Sequence, residues 1–262
     1  MTATLAPLPT FLIIGAQKSA TRWLRTNLGE HPDVFAAERE LRFFHAPQKF
    51  AERGTDWYRA QFEGWTGESI VGEATPGYMM WRHVPDEVAA RIHGVVPAVR
   101  LIALLRNPVD RALSGMVHHI KFERLPARSN LLELARRGDP ASDPLGLVAG
   151  GWYARSLAPY RQRFGDQLLV LLHDDIADDP RAVYVAALRH VGASDDFLPE
   201  ELAQVRYSAS GSGGTDRPGP RVSAHDRRAL YDEFFRDDVR ELEAMFGLDL
   251  SRWEPARAEP VA

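Results

Sequence analysis

Four short apolar runs, each about as long as a buried strand, recur along the chain. They are Phe11–Ile14, Ser69–Gly72, Leu101–Leu105 and Leu168–Leu172. Apolar character that is continuous rather than alternating is typical of strands covered on both faces of a sheet. The pattern therefore predicts a parallel sheet that is buried between layers of helices.

Amphipathic stretches lie between and after these runs. Trp23, Leu24 and Leu28 share one side of a short predicted helix. Longer helices are predicted over Pro108–Ile120, Pro180–Val191 and Ala224–Phe246. Asn107 has the side chain and the position of an N-cap for the first of these. Strands that alternate with helices predict an α/β fold: a single domain over residues 1–262, with a central parallel sheet flanked by helices.

Two stretches have the composition of irregular backbone. Arg124–Gly151 mixes Pro, Gly and Asp residues with a short helical piece, and Ser208–Arg221 is rich in Ser, Gly and Pro. We expect the second stretch to be a mobile loop. We also expect residues 1–9 and 254–262 to be loose tails.

Composition excludes several classes of protein. The 262 residues include no cysteine, which excludes disulfides and thiolate metal sites, and no spacing of side chains indicates another metal site. The net charge of −4 does not favour a protein that binds nucleic acid. No apolar run is long enough to span a membrane, and the first ten residues do not resemble a signal peptide, so we expect a cytoplasmic location.

A phosphate-binding loop is predicted between the first strand and the first helix. The segment Gly15-Ala-Gln-Lys-Ser-Ala-Thr-Arg-Trp23 lies where a helix N-terminus offers unpaired amides and a positive dipole end. Lys18 adds a charge and Thr21 adds a hydroxyl donor. The segment lacks the Gly-Lys-Ser/Thr of a nucleoside-triphosphate loop. The alternative interpretation is an ordinary turn that faces solvent.

A second anion site is predicted at the end of the third apolar run. Arg106 follows that strand directly, and Ser114 lies about two turns into the next helix, so a guanidinium and a hydroxyl can hold one phosphate. His118 is four residues beyond Ser114 and shares its helix face. The alternative is a capped helix with a surface arginine and a packed serine.

These two segments resemble the motifs of the sulfotransferases that use 3′-phosphoadenosine 5′-phosphosulfate (PAPS). The first is similar to the family's 5′-phosphosulfate loop, Gln-Lys-x-Gly-Thr-Thr, and the second to its 3′-phosphate motif, an Arg with a Ser eight positions later. Further similar segments follow the family's order, as in its bacterial and heparan-sulfate branches: Arg39-Glu-Leu-Arg-Phe-Phe44, Gly72-Glu-Ala-Thr-Pro-Gly-Tyr78 and Gly151-Trp-Tyr-Ala-Arg-Ser-Leu157. The likeness covers most of the chain.

The resemblance implies transfer of a sulfuryl group from PAPS to a hydroxyl or amine of a small-molecule or carbohydrate acceptor. The product would be 3′-phosphoadenosine 5′-phosphate (PAP), and no metal is implied. Lys18 would stabilise the leaving group, Arg106 and Ser114 would hold the 3′-phosphate, and Arg217 or Arg221 of the predicted mobile loop would contact the donor. The 5′-phosphosulfate would lie on the loop residues Gln17, Lys18, Ser19, Ala20, Thr21 and Arg22.

The chain departs from the family's pattern at three positions. Ala20 replaces the glycine of the loop, so the backbone there must tolerate a Cβ. Arg22 replaces the second threonine, which exchanges a hydroxyl for a charge. Ala74 stands where heparan-type enzymes often have a lysine, which leaves recognition of that acceptor open.

Glu40 is the predicted general base, because an acceptor hydroxyl must lose its proton as it attacks and a carboxylate can take it. We expect the neighbouring Phe43 and Phe44 to limit solvent access to this carboxyl group. His118 is the alternative base, or a hydrogen-bond donor to a sulfuryl oxygen.

Two other functions compete with this interpretation. A nucleotide kinase would require Gly-Lys-Ser/Thr and a strand that ends in a metal-binding aspartate, for which His173-Asp-Asp175 is a poor match. A non-catalytic nucleotide-binding relative would keep the donor site without turnover.

Overall fold

A computed structural model describes residues 6–200, Leu202 and 222–255 of the chain. Its strands are β1 (Phe11–Gly15), β2 (Val34–Ala36), β3 (Ile70–Ala74), β4 (Arg100–Leu105) and β5 (Leu168–Leu172). They form one sheet in the order β2-β3-β1-β4-β5, and each neighbouring pair is parallel. The carboxyl ends of all five strands therefore meet at one edge, which is where ligands bind in open α/β sheets.

Helices cover both faces of this sheet. In the described residues they are α1 (Thr21–Leu28), α2 (Pro47–Arg59), α3 (Pro85–Val95), α4 (Pro108–Lys121), α5 (Leu131–Arg137), α6 (Tyr153–Phe164), α7 (His173–Asp178), α8 (Pro180–Val191), α9 (Ala224–Leu230) and α10 (Arg236–Phe246). Leu12 and Ile14 of β1 join the apolar cluster that includes α3, α4 and α6. Phe11 and Ile13 join the opposite cluster, with α1 and α8. Burial on both faces explains why β1 is apolar at successive positions.

The sequence predicts four of the five strands, and the structure confirms them with ends shifted by at most two residues. Helix α8 matches its prediction at both ends, and α4 continues one residue beyond its predicted end. Strand β2 is not predicted, because three residues carry too little pattern. Helices α2, α3, α6 and α7 are not predicted either.

The segment predicted as one helix over Ala224–Phe246 is helical but changes type along its length. A π-helical turn over Tyr231–Phe235 separates α9 from α10. Both end residues of this turn are buried, and the Phe235 ring lies so close to Gly151 that a Cβ there would be 2.8 Å from a ring carbon. Apolar periodicity does not distinguish one wider turn from a continuous α-helix, so the pattern does not reveal it.

Some of the segments predicted as irregular are partly ordered by packing. Of the amino-terminal residues expected to be loose, Ala6 and Leu8 pack against the core. The stretch Arg124–Gly151 contains α5 and two short 3₁₀ turns. The predicted mobile loop Ser208–Arg221 lies outside the described residues. Within the part that is described, no helix has both the length and the apolar character to cross a membrane.

Candidate active site

The connection between β1 and α1 is the loop Ala16–Ala20. The amide of Ala16 donates to the Leu104 carbonyl of β4 at 2.8 Å, which ties the loop to the neighbouring strand. Lys18 and Ala20 both have left-handed backbone, with φ of 72° and 63°. Helix α1 begins at Thr21, so the unpaired amides of its first turn adjoin the loop. This arrangement is typical of an anion-binding helix N-terminus.

Ala20 is the position where the loop departs from the glycine of the resembling motif. It is the N-cap of α1 and has φ 63° and ψ 22°, a conformation that glycine adopts without strain. An L-residue there costs about 1–2 kcal/mol because its Cβ approaches the backbone. The chain therefore tolerates the Cβ, as the sequence requires, at some cost in stability.

Gly15 permits the close packing beneath the loop. A Cβ built on this residue would lie 2.1 Å from Sδ of Met79, which is far inside van der Waals contact. Met79 belongs to the short 3₁₀ turn Pro76–Met79 that follows β3. The absence of a side chain at residue 15 thus lets the turn after β3 pack directly against the carboxyl end of β1.

Arg106 joins the two segments that the sequence predicts to bind anions. Its Nη1 donates to the Lys18 carbonyl at 3.3 Å across 88 positions of the chain. Its own carbonyl accepts a hydrogen bond of 2.8 Å from the hydroxyl of Tyr153. Tyr153 is fully buried, and burial raises its pKa to about 12, so this hydroxyl remains a donor at neutral pH. Arg106 is therefore held from both sides.

Electrostatics at Lys18 are those of a cluster of cations. Burial lowers the pKa of Lys18, and the positive charges of Arg106 and Lys121 lower it further. Like charges that are gathered and partly removed from water favour a bound anion, because the anion relieves their repulsion.

Helix α4 carries the other predicted residues of the second anion site. Asn107 caps it, with Oδ1 accepting from the amides of Val109 at 3.0 Å and Asp110 at 3.3 Å, which confirms the predicted cap. Ser114 is buried about two turns into the helix, and His118 lies one turn further.

His118 of α4 lies close enough to the loop for the charge of Lys18 to act on its imidazole. Burial lowers its pKa, and the next largest cause is the positive charge of Lys18. The imidazole is therefore neutral near pH 7. Its ring centre lies 4.7 Å from that of Phe122, whose side chain is exposed. The neighbouring His119 is turned away, with Nε2 at 3.1 Å from the Leu145 carbonyl.

Glu40 does not have the sheltered surroundings that the sequence predicts. Its carboxylate is exposed and accepts hydrogen bonds from Nε and Nη2 of Arg42, at 3.0 and 2.8 Å. Phe43 and Phe44 are fully buried, and their rings pack on Tyr58 rather than over the carboxylate. The expectation of shielding by these rings is wrong, because they point into the core while Glu40 points to solvent.

Two residues near the site are given no role in donor or acceptor binding by the sequence analysis. His173 follows the carboxyl end of β5, and its pKa is lowered by burial and then by the charge of Arg106. Arg111 lies on α4 between the cap and Ser114, is 1% exposed and donates to the Leu147 carbonyl. The sequence signal for either residue is its position alone. His173 follows the end of a strand, and Arg111 lies three residues before Ser114. Arg217 lies outside the described residues.

Fold and geometry together define a class of protein. A parallel sheet carries, after β1, a loop that leads into a helix N-terminus and, after β4, an arginine that contacts this loop, without the Gly-Lys-Ser/Thr of triphosphate-binding loops. This architecture is typical of α/β proteins that bind the phosphates of a nucleotide.

Comparison with known proteins identifies the family. Residues 8–206 match the family model described as a sulfotransferase domain. The sulfotransferase from Alicyclobacillus acidocaldarius has a similar structure, with a TM-score of 0.75 and 28% identity over 95% of this chain and 99% of that one. The sulfotransferase domain of the Synechococcus PCC 7002 olefin synthase shares the fold, with a TM-score of 0.52 and 16% identity over 95% of this chain and 98% of that one.

Curated relatives agree with this assignment. Human heparan sulfate glucosamine 3-O-sulfotransferase 6 is 30% identical over 92% of this chain and 72% of its own length. Its mouse counterpart is 32% identical over 72% of this chain and 52% of its own length, so the chain spans about half of that relative. The chain belongs to the sulfotransferase family, and the prediction of a sulfotransferase rather than a nucleotide kinase is confirmed.

Proposed function

We propose that the chain transfers a sulfuryl group from PAPS to a hydroxyl or amine of a carbohydrate or small-molecule acceptor. The observation that carries the proposal is the hydrogen bond from Arg106 to the Lys18 carbonyl. It joins a loop suited to a 5′-phosphosulfate to an arginine suited to a 3′-phosphate. A donor with anions at both ends fits this pair of sites better than a nucleoside monophosphate does.

The donor side is assigned to two groups of residues. The amides of the Ala16–Ala20 loop, with Lys18 and Thr21, hold the 5′-phosphosulfate and neutralise charge on the departing phosphate. Gln17, Ser19 and Arg22 complete the loop. Arg106 and Ser114 hold the 3′-phosphate with a guanidinium and a hydroxyl. Arg217 is a further candidate for donor contact.

The acceptor side is assigned to Glu40. The acceptor oxygen or nitrogen forms a bond to sulfur as the bond from sulfur to the 5′-phosphate oxygen breaks, and the acceptor proton passes to the carboxylate. The exposed position of Glu40 is compatible with an acceptor that approaches from solvent. His118, which is neutral near pH 7 and lies close to Lys18, is the alternative proton acceptor.

A carbohydrate is the acceptor class that the relatives favour, since their names refer to glucosamine of heparan sulfate. Ala74 is buried and offers no charge at the position where a lysine is often found in such enzymes. We therefore propose a carbohydrate or small-molecule acceptor that is not bound through that position.

Titration calorimetry with PAP tests the donor assignment. Arg106→Ala should weaken PAP binding by about 10- to 150-fold, equivalent to roughly 1.5–3 kcal/mol for a charged hydrogen bond. Adenosine 5′-monophosphate, which lacks the 3′-phosphate, should be affected little by the same change. Arg100→Ala, at the opposite end of β4, is the matched control. Parent protein that binds both nucleotides equally would refute the 3′-phosphate site.

A PAPS-dependent turnover assay across hydroxyl and amine acceptors, read by mass shift, tests the activity. Glu40→Gln keeps the shape of the side chain and removes the base, so turnover should fall by about 10²–10⁴-fold while PAP affinity is retained. Glu38→Gln, in the same exposed segment, is the control. If Glu40→Gln stays within a few-fold of the parent and His118→Ala is inactive, the base is His118. PAP binding without turnover on any acceptor would indicate a non-catalytic relative.

A further inference from the structure

The segment Gly72–Tyr78, which resembles a family motif, contains a buried carboxylate with no role in the scheme above. Glu73 is completely buried at the carboxyl end of β3. Four groups donate hydrogen bonds to it: Tyr78 OH at 2.5 Å, Thr75 Oγ1 at 2.6 Å, Tyr58 OH at 3.0 Å and the Leu41 amide at 3.3 Å. We name Glu73 with Thr75, Tyr78 and Tyr58 the Glu73 cluster.

The Glu73 cluster holds the chain directly after Glu40. Three successive backbone amides, those of residues 41–43, donate to it. Leu41 N donates to Glu73 Oε2 at 3.3 Å, Arg42 N to Thr75 Oγ1 at 3.2 Å, and Phe43 N to Tyr78 OH at 3.2 Å. These three bonds join positions separated by 32 to 35 residues. The segment that carries Glu40 is therefore oriented by side chains of β3 and the turn that follows it.

Burial favours the protonation states in which the two tyrosines of the cluster donate hydrogen bonds. Burial raises the pKa of Tyr58 and of Tyr78 well above the ordinary value, so both hydroxyls stay protonated and donate to Glu73. Burial also raises the pKa of Glu73, while the hydrogen bonds from Thr75 and Tyr78 oppose that change. A buried network in which every donor has an acceptor is rigid, because breaking one bond leaves a polar group without water.

The cluster also fixes the segment relative to the donor loop. The Thr75 amide donates to the Ile13 carbonyl of β1 at 3.0 Å, and β1 continues directly into the loop. The hydroxyl of Tyr160 on α6 donates to the Tyr78 carbonyl at 2.7 Å. Through Thr75, the backbone that carries Glu40 is thus held in place relative to β1, the strand that continues into the loop with Lys18.

We infer that the Glu73 cluster is a positioning device that sets the place of the Glu40 carboxylate relative to the donor loop. This inference rests on the proposed function, in which Glu40 is the general base. In the part of the chain that the structure describes, the exposed Glu40 carboxylate is paired with Arg42, which is itself exposed, so the backbone of Glu40 must supply the precision that transfer to the acceptor requires. The members of the cluster act through Glu40 and do not touch the reacting atoms.

Thr75 offers the sharpest test, because valine has nearly the shape of threonine and replaces its hydroxyl by a methyl group, while serine keeps the hydroxyl. Thr75→Val keeps the volume but removes the acceptor for the Arg42 amide and one donor to Glu73. We expect its kcat to fall by about ten- to a hundredfold, the size of effect that a small misplacement of a catalytic group produces. Thr75→Ser keeps Oγ and should restore kcat towards the parent. PAP affinity should stay within about twofold in both variants, since the donor site is not involved.

A double-mutant cycle with Glu40→Gln distinguishes positioning from general damage. In the Glu40→Gln background, Thr75→Val should slow the residual turnover less than about twofold, because the group that it positions is already absent. Equal slowing in both backgrounds would overturn the inference, and so would full activity of a folded Thr75→Val protein. If Glu40→Gln itself is as fast as the parent, the base assignment fails instead, whatever Thr75→Val does.

Thermal melting completes the experiment by separating misfolding from mispositioning. Tyr184→Phe is the matched control, since this tyrosine is fully buried in the opposite apolar cluster, away from the Glu73 cluster. It should retain activity. If Thr75→Val proves unfolded, Tyr58→Phe removes a single donor to Glu73 and leaves the three amide bonds in place. This variant should then show the same coupling to Glu40→Gln on a smaller scale, and additivity would overturn the inference.

Discussion

Asp238 provides the clearest test of how burial governs the stability of this protein. Its side chain is 1% exposed on α10 and accepts hydrogen bonds from the amides of Ala154 at 2.9 Å and Arg155 at 3.2 Å. These amides belong to the first turn of α6, which begins at Tyr153, the residue that holds Arg106. Burial raises the pKa of Asp238 from 3.8 to about 6, although these hydrogen bonds oppose the change.

The sign of the effect on stability follows from proton binding. Between pH 4 and 6 the folded protein binds a proton at Asp238 that the unfolded chain has already lost. The free energy of unfolding therefore falls as pH rises through this window. A shift of roughly two pKa units corresponds to about 3 kcal/mol. Asp238→Asn cannot titrate, so the stability of the parent relative to this variant should fall by about that amount between pH 4 and 7.

Urea unfolding followed by circular dichroism at several pH values measures this difference. Subtracting the two curves removes the titrations that the proteins share, including those of His45 and His83, whose pKa values burial lowers to about 3 and about 4. Asp237→Asn, at the exposed neighbouring position, is the control for loss of one carboxylate from α10. A difference that stays level, or that rises with pH, would refute the argument from burial.

Three further predictions concern the loop and the strand ends. Ala20→Gly should raise the free energy of unfolding by about 0.5–1 kcal/mol, because the relief of left-handed strain outweighs the entropy that glycine adds to the unfolded chain. Thermal melting measures this change, and a less stable variant would contradict it. Asn107→Ala should cost about 2 kcal/mol in urea unfolding, since it removes both the helix cap and the 3.0 Å bond to the Trp253 carbonyl, whereas Asn107→Asp should keep the cap and lose less. Gly15→Ala should cost at least about 2 kcal/mol through collision with Met79, and the loss should shrink in a Met79→Ala background if that contact is the cause.

Local pattern is sufficient for much of the sheet. Continuous apolar runs identify β1, β3, β4 and β5, because strands buried on both faces are apolar at nearly every position. The same reasoning misses β2, which is held by pairing with β3 more than by its own three residues. The Asn107 cap is predictable because its hydrogen bonds are made within three residues.

The candidate site is predictable only in part, because its decisive contacts join distant positions. Lys18 and Arg106 are found by motif, but the bond between them depends on the adjacency of β1 and β4. The segments around Glu40 and Glu73 are likewise both recognised by resemblance. Nothing in either segment reveals that successive amides of one bond to side chains of the other. The exposure of Glu40 is missed because its carboxylate points to solvent while the rings of Phe43 and Phe44, three and four positions later, point into the core.

The central place of β1 in the sheet has a consequence for the synthesis of the protein. This strand pairs with β3 on one side and β4 on the other, yet Arg100 of β4 follows Gly15 by about 85 residues. At about 5–20 residues per second, the ribosome needs on the order of ten seconds to supply that second partner. Meanwhile one hydrogen-bonding side of these five buried residues has no native partner strand. We expect the nascent chain to depend on chaperones until β4 has emerged, and the order of the strands rather than their stability sets that interval.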